Sequence, residues 1–224
     1  MNIKKYIANL TNLLFILFIL FTVLPVKLNY SSIVIVNLVI LSILNMLIVK
    51  QKEIKLIKYY IFFVSLPLGV YLLGLINTTN IDYGLSFVTK NMSFLAFPLI
   101  FFSLSTYVNK TLLYKFFLLG LFVTNLYLFY LFFYYYNFGL KFYKIVIVDI
   151  YHSTYLGMYS LFAFWICFLF FKENNKRTFI FLALFFFISA IFASSRIIFI
   201  LSMLSIIITL MITIKSNGKR LIAI

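Results

Sequence analysis

DIYHSTYLGMYSLFAFWICFLFFKENNKRTFIFLALFFFISAIFASSRIIFILSMLSIIITLMITI, residues 149–214, holds three apolar runs separated by two short polar turns, KENNKR and SSR. The runs approach the length of chain, about 20 residues, that crosses a bilayer as a helix. Arg196, the last residue of SSR, is the one formal charge between Thr178 and Ile214. At the centre of a membrane helix an arginine costs roughly 2.5 to 3.5 kcal/mol on insertion scales, so it belongs at a membrane edge, in a watery cavity or against an anionic ligand. The two turns and this arginine set the reading of everything else.

Working outward, the whole chain has the composition of that stretch. It is 65% hydrophobic and only 10% charged, with mean hydropathy +1.14. A soluble domain carries nearer 45–50% apolar and about 25% charged residues, so the chain is an integral membrane protein. The net charge of +15 does not point to nucleic acid, because the basic residues cluster in short loops between apolar runs, where topology and anionic lipid account for them. Nucleic acid is therefore excluded as a partner, and membrane lipids are expected ones. The single cysteine, Cys167, excludes an intrachain disulfide and lies inside an apolar run, where a packed thiol is expected.

The expected fold is all-α, a single polytopic membrane domain over 1–224 with about eight transmembrane helices. Their spans are about 8–26, 31–49, 59–76, 87–108, 112–134, 154–171, 178–193 and 197–214. The first run has no small-x-small cleavage site before LPVKLNY and reads as a retained helix. NTTNIDYGLS reads as a polar loop ahead of the fourth span, with Lys90 near that span's start and Pro98 at its middle. Spans seven and eight are short and tightly joined, which leaves a re-entrant hairpin open beside two full crossings. With a cytoplasmic amino terminus and eight crossings, fourteen of the nineteen Lys and Arg residues fall inside. Lys27, Lys90, Lys141, Lys144 and Arg196 fall outside. Basic residues concentrate on the cytoplasmic side of membrane proteins, so both termini are expected to be cytoplasmic. His152 and Asp149 then share the outer face with Arg196.

One His and one Cys cannot assemble a metal ligand set, and neither GxxxxGK[ST] nor GxSxG occurs. No metal and no cofactor are expected. The four acids, Glu53, Asp82, Asp149 and Glu173, all lie in expected loops, which counts against a proton-coupled carrier. Arg196 is then either a snorkelling helix-end anchor or an anion-binding group. His152 is either a general base on a hydroxyl or an ordinary hydrogen-bonded residue at a helix start. Asp149 and Tyr155 flank it, either orienting it or serving as a capping acid and an interfacial tyrosine.

YHSTYLGMYSLF (151–162), followed about forty residues later by SSR at the head of a new apolar run, resembles the central part of the O-antigen ligase and O-antigen polymerase superfamily. KNMSFLAFPLIFF (90–102) resembles an earlier segment of the same superfamily. The resemblance covers its amino-terminal two-thirds. It implies an enzyme of lipopolysaccharide or related surface-polysaccharide biosynthesis in the bacterial inner membrane. A glycan is moved from an undecaprenyl pyrophosphate carrier to an acceptor glycan or to lipid A-core. It implies that Arg196, at the Ser-Arg position, binds the pyrophosphate, with Tyr155 as a further substrate contact. The superfamily's catalytic histidine lies in a large outer loop beyond the Ser-Arg helix, so His152 inherits no role and its candidacy rests on its own chemistry. The missing part is expected to be absent or to be supplied by a separately encoded carboxy-terminal half. The competing readings are a lipid-linked glycan flippase or carrier and a non-catalytic remnant.

Overall fold

The computed structural model describes residues 3–25, 30–49, 65–135, 152–193 and 197–209, and every regular element among them is helical. In chain order these are α1 (Ile3–Val23), α2 (Tyr30–Val49), α3 (Ser65–Asn77), α4 (Ile81–Lys90), α5 (Ser93–Leu104), α6 (Lys110–Tyr135), α7 (Ser153–Asn174), α8 (Thr178–Phe192) and α9 (Ile197–Thr209). Helix is the form this composition demands, since in lipid each backbone N–H and C=O must find its partner within the chain. Among the described residues five segments have the length and apolarity to cross a membrane: Ile3–Val23, Tyr30–Ile48, Ile81–Tyr107, Lys110–Tyr134 and Ser153–Asn174. Ser65–Asn77, Thr178–Phe192 and Ile197–Thr209 are shorter apolar helices. At 1.5 Å per residue, the fifteen residues of α8 span about 22 Å, less than the roughly 30 Å hydrocarbon core. The all-α membrane fold expected from composition is the observed one.

The fourth expected span differs in detail. Helix begins at Ile81, not near 87, because Asn80 is an effective amino-terminal cap: its Oδ1 accepts from the Tyr83 N–H at 3.0 Å. Asp82 in the first turn and Lys90 in the last complement the helix dipole. The polar stretch read as a loop therefore ends at Asn80. Lys90 closes a short helix instead of opening a long one. Asn91 interrupts the run: its Nδ2 donates to the Phe87 carbonyl at 2.9 Å, a side-chain bond that competes with continued helix.

The chain divides into two compact units, one of Met1–Thr22 and Asn29–Leu113, the other of Val23–Leu28 and Tyr114–Ile224. In the first, α1 runs antiparallel to α5. Phe15 meets Phe101 and Phe18 meets Phe97, both at 5.8 Å between ring centroids, and the Asn12 amide donates to the Tyr107 carbonyl at 2.9 Å. Asn12 Oδ1 also accepts from the Asn109 N–H at 2.8 Å. α2 packs on α5 through a buried polar seam. Asn45 Nδ2 donates to the Ser103 carbonyl at 2.9 Å and to its Oγ at 3.1 Å, while Ser103 Oγ donates to the Ser42 carbonyl at 3.0 Å. Ile100, Leu104, Leu38 and Phe15 fill the surrounding core.

In the second unit, aromatic edges do much of the packing. α7 lies antiparallel to α6, with Tyr114 against Phe170 and Phe117 against Tyr159, each at 6.3 Å. α8 runs parallel to α6, with Phe122 against Phe185 at 5.0 Å and Phe129 against Phe192 at 5.8 Å. α7 and α8 form a hairpin across KENNKR. Asn175 takes the left-handed conformation there, at φ 52 and ψ 26, and its N–H donates to the Phe171 carbonyl at 2.7 Å.

Candidate functional site

The site begins where α7 begins. His152 caps the helix in extended conformation, φ −68 and ψ 122, and its carbonyl accepts from the N–H groups of Tyr155 at 2.9 Å and Leu156 at 3.2 Å. Its side chain makes no capping bond and is exposed. Of the two roles open to it from sequence, the backbone alone starts the helix and the imidazole is left to meet other groups. Three residues on, one turn along the same face, Tyr155 is 59% exposed and brings its ring within 5.3 Å of the imidazole at a tilt of 51°. The phenol ring in contact with the imidazole carries a hydroxyl that both donates and accepts, and the imidazole nitrogens add a donor and an acceptor of their own. That pair can hold an alcohol by hydrogen bonds.

Below this first turn the helix is fixed by an unusually close neighbour. A Cβ placed on Gly157 would lie 2.7 Å from Cγ1 and 2.9 Å from Cγ2 of Ile198. Only glycine allows α9 to come this near. Ile198 is wholly buried and joins Leu161 and Ala190 in a small core. Further down, Trp165 Nε1 donates to Ser205 Oγ at 3.3 Å, so α7 and α9 run parallel, with the start of α9 about one turn along α7 from its own start.

The helices that adjoin the two sequence motifs are therefore in contact. His152 to Gly157 open α7, and in sequence SSR immediately precedes α9, whose second residue is the one pressed on Gly157. Arg196 itself lies outside the described residues, as do Asp149, residues 59–64 of the third expected span and 210–214 of the eighth. Cys167 is buried in α7, in keeping with a packed thiol. Among the described residues no three His, Cys, Asp or Glu side chains gather closely enough to hold a metal ion.

Three features escaped the sequence reading. Gly157 carries a conspicuous small-residue signal at Gly157 and Ser160, one turn apart, but nothing in sequence names Ile198 as the partner. Asn45, an amide in an otherwise apolar run, signalled an interhelical bond, though not to Ser103. Lys90 sits at a helix break that only Asn91 announces. No family model matches the chain, and neither curated proteins nor solved structures give a match.

Proposed function

We propose that this protein is a glycosyl-transfer component of surface-polysaccharide assembly in the bacterial inner membrane, similar in role to O-antigen ligases and polymerases. What carries the reading is the contact between Gly157 and Ile198, which holds the helix opened by His152 and Tyr155 against the helix that follows Arg196. In sequence the two motifs adjoin the starts of these two helices. Within each unit the helix directions, α2 parallel to α5 in the first and α6 parallel to α8 and α7 to α9 in the second, are compatible with helices that alternate in direction along the chain.

In the proposed reaction an acceptor sugar hydroxyl attacks the anomeric carbon of a glycan on undecaprenyl pyrophosphate. The new C–O bond forms as the bond from that carbon to the pyrophosphate oxygen breaks, and the leaving pyrophosphate takes the bonding electron pair. Its concentrated negative charge is met by Arg196, whose planar guanidinium binds phosphate oxygens in bidentate fashion and stabilises charge that grows in the transition state. The hydroxyl proton passes to an imidazole nitrogen of His152 acting as general base. Tyr155 holds the acceptor by its phenol. Acceptors are a second lipid-linked glycan or a lipid A-core sugar.

Complementation tests this. A strain lacking its own ligase or polymerase receives the chain, alone and with the reading frame that follows it, and surface polysaccharide is read on a gel. Glycan should return in one of these forms and fall about 100-fold or more with Arg196→Ala, the loss typical of one transition-state charge contact. Arg196→Lys should restore only part. Return of glycan that is indifferent to Arg196→Ala and His152→Ala would favour a carrier. No return in any form, with membrane expression verified, would leave a non-catalytic membrane subunit.

A further inference from the structure

The first unit carries a groove whose polarity is sorted along its length. It has a volume of about 640 Å³ and is walled by α2 on one side and by the end of α4 and the start of α5 on the other. The bonds from Asn45 to Ser103 fix the register of the two walls near their carboxy-terminal ends. Ten residues before Ser103 is Ser93, and ten before Asn45 is Ile35, so the parallel helices bring Ser93 level with the start of α2. Ser32, Thr89, Lys90 and Ser93 consequently share one end of the groove. Beyond them the walls are aliphatic, Ile35 to Ile43 on α2 and Leu95 to Leu99 on α5. From Ser32 to Ile43 the groove runs roughly 16 Å at 1.5 Å per residue, about half of a 30 Å hydrocarbon core, the depth of one leaflet.

One cation stands at the polar end. Lys90 is exposed, with its Nζ 5.8 Å from the centroid of the Phe87 ring. The acid on the same helix, Asp82, is at the far end of α4, about 12 Å away along the axis. The ammonium is thus held at the mouth of an apolar slot by its own helix and not by a carboxylate on it. A single charge and the hydroxyls of Ser32 and Ser93 above one leaflet's depth of aliphatic wall match a phosphate head on a hydrocarbon chain, while the Thr89 hydroxyl donates to the Ser86 carbonyl at 3.0 Å.

We propose that this groove binds one chain of an anionic phospholipid of the surrounding bilayer, with Lys90 and the hydroxyl of Ser93 on its phosphate. The site belongs to the first unit, and the glycan chemistry proposed for α7 and α9 to the second. It gives the break at Asn91 a use: by ending α4 there, the chain delivers Lys90 to the groove mouth instead of carrying it around a continuous helix.

The test is native mass spectrometry of the detergent-purified chain with titrated phosphatidylglycerol or phosphatidylcholine. The wild type should retain phosphatidylglycerol about fivefold more tightly, the contribution of one basic residue at an anionic surface. Lys90→Gln should remove that preference and leave phosphatidylcholine binding unchanged, and Lys90→Arg should keep it. Val36→Trp, at an exposed α2 position lining the slot, should weaken both lipids. Equal retention of the two lipids by wild type overturns the proposal, as does a preference that survives Lys90→Gln. A dimer that dissociates with Val36→Trp while lipid binding persists would assign the groove to a second copy.

Discussion

The two units of this chain solve the same problem by different means. Inside a bilayer the hydrophobic effect does not draw apolar helices together, so close packing and interhelical hydrogen bonds must do so. In the first unit the join between α2 and α5 is a polar seam of Asn45, Ser42 and Ser103, with all three side chains wholly buried. In the second, α7 takes α9 into van der Waals contact through the missing side chain of Gly157, and α6, α7 and α8 interlock by tilted phenylalanine and tyrosine rings. Hydrogen bonds specify a register with few groups, whereas steric closeness specifies a distance. The candidate catalytic end belongs to the second unit, where distance matters more.

The largest effect should come from the second unit. Gly157→Leu drives a side chain into Ile198 and should cost about 3 kcal/mol or more, at the upper end of what overpacking does, because helix backbones must separate. Thermal unfolding in detergent should show a clear drop in midpoint, and complementation should fall with it. Gly157→Ala should lie between this variant and wild type. If Gly157→Leu matches wild type in both measurements, the close approach of α7 and α9 is wrong.

The first unit should respond more mildly and cooperatively. Asn45→Ala removes the donor to both Ser103 acceptors but also a buried Oδ1 that has no partner among the described residues, so the net loss should be about 0.6 to 1.7 kcal/mol. Ser103→Ala made in the Asn45→Ala background should cost less than it does alone. Additive losses in that double-mutant cycle would mean that the seam does not act as a unit. Smallest of the three is Trp165→Phe, which keeps the ring contact with Phe168 but removes the donor to Ser205. A loss of about 0.5 to 1 kcal/mol is expected by the same unfolding measurement.

The comparison also marks how far sequence reaches. Long apolar runs announced α1, α2, α6 and α7 nearly to their ends, since a run of about 20 such residues has few alternatives to a membrane helix. α4 was missed in part because Asp82, Gly84 and Ser86 look like loop residues when counted, yet Asn80 caps them into a helix with a polar face. At the candidate site, His152 and Tyr155 were legible as a pair at helical spacing. Gly157 was not, because closeness is a relation between two residues and its other member lies forty-one positions away.

Sequence by itself determined the solvent and the secondary structure of this protein. Its composition can be buried only in lipid, and in lipid these runs satisfy their backbone groups as helices. The tertiary structure alone decided which helices are neighbours, in which direction and at what distance. Helices that are apolar all round present no stripe that names a partner. The choice fell to a few small or polar side chains, Gly157 against Ile198 and Asn45 against Ser103, whose meaning exists only once both members meet.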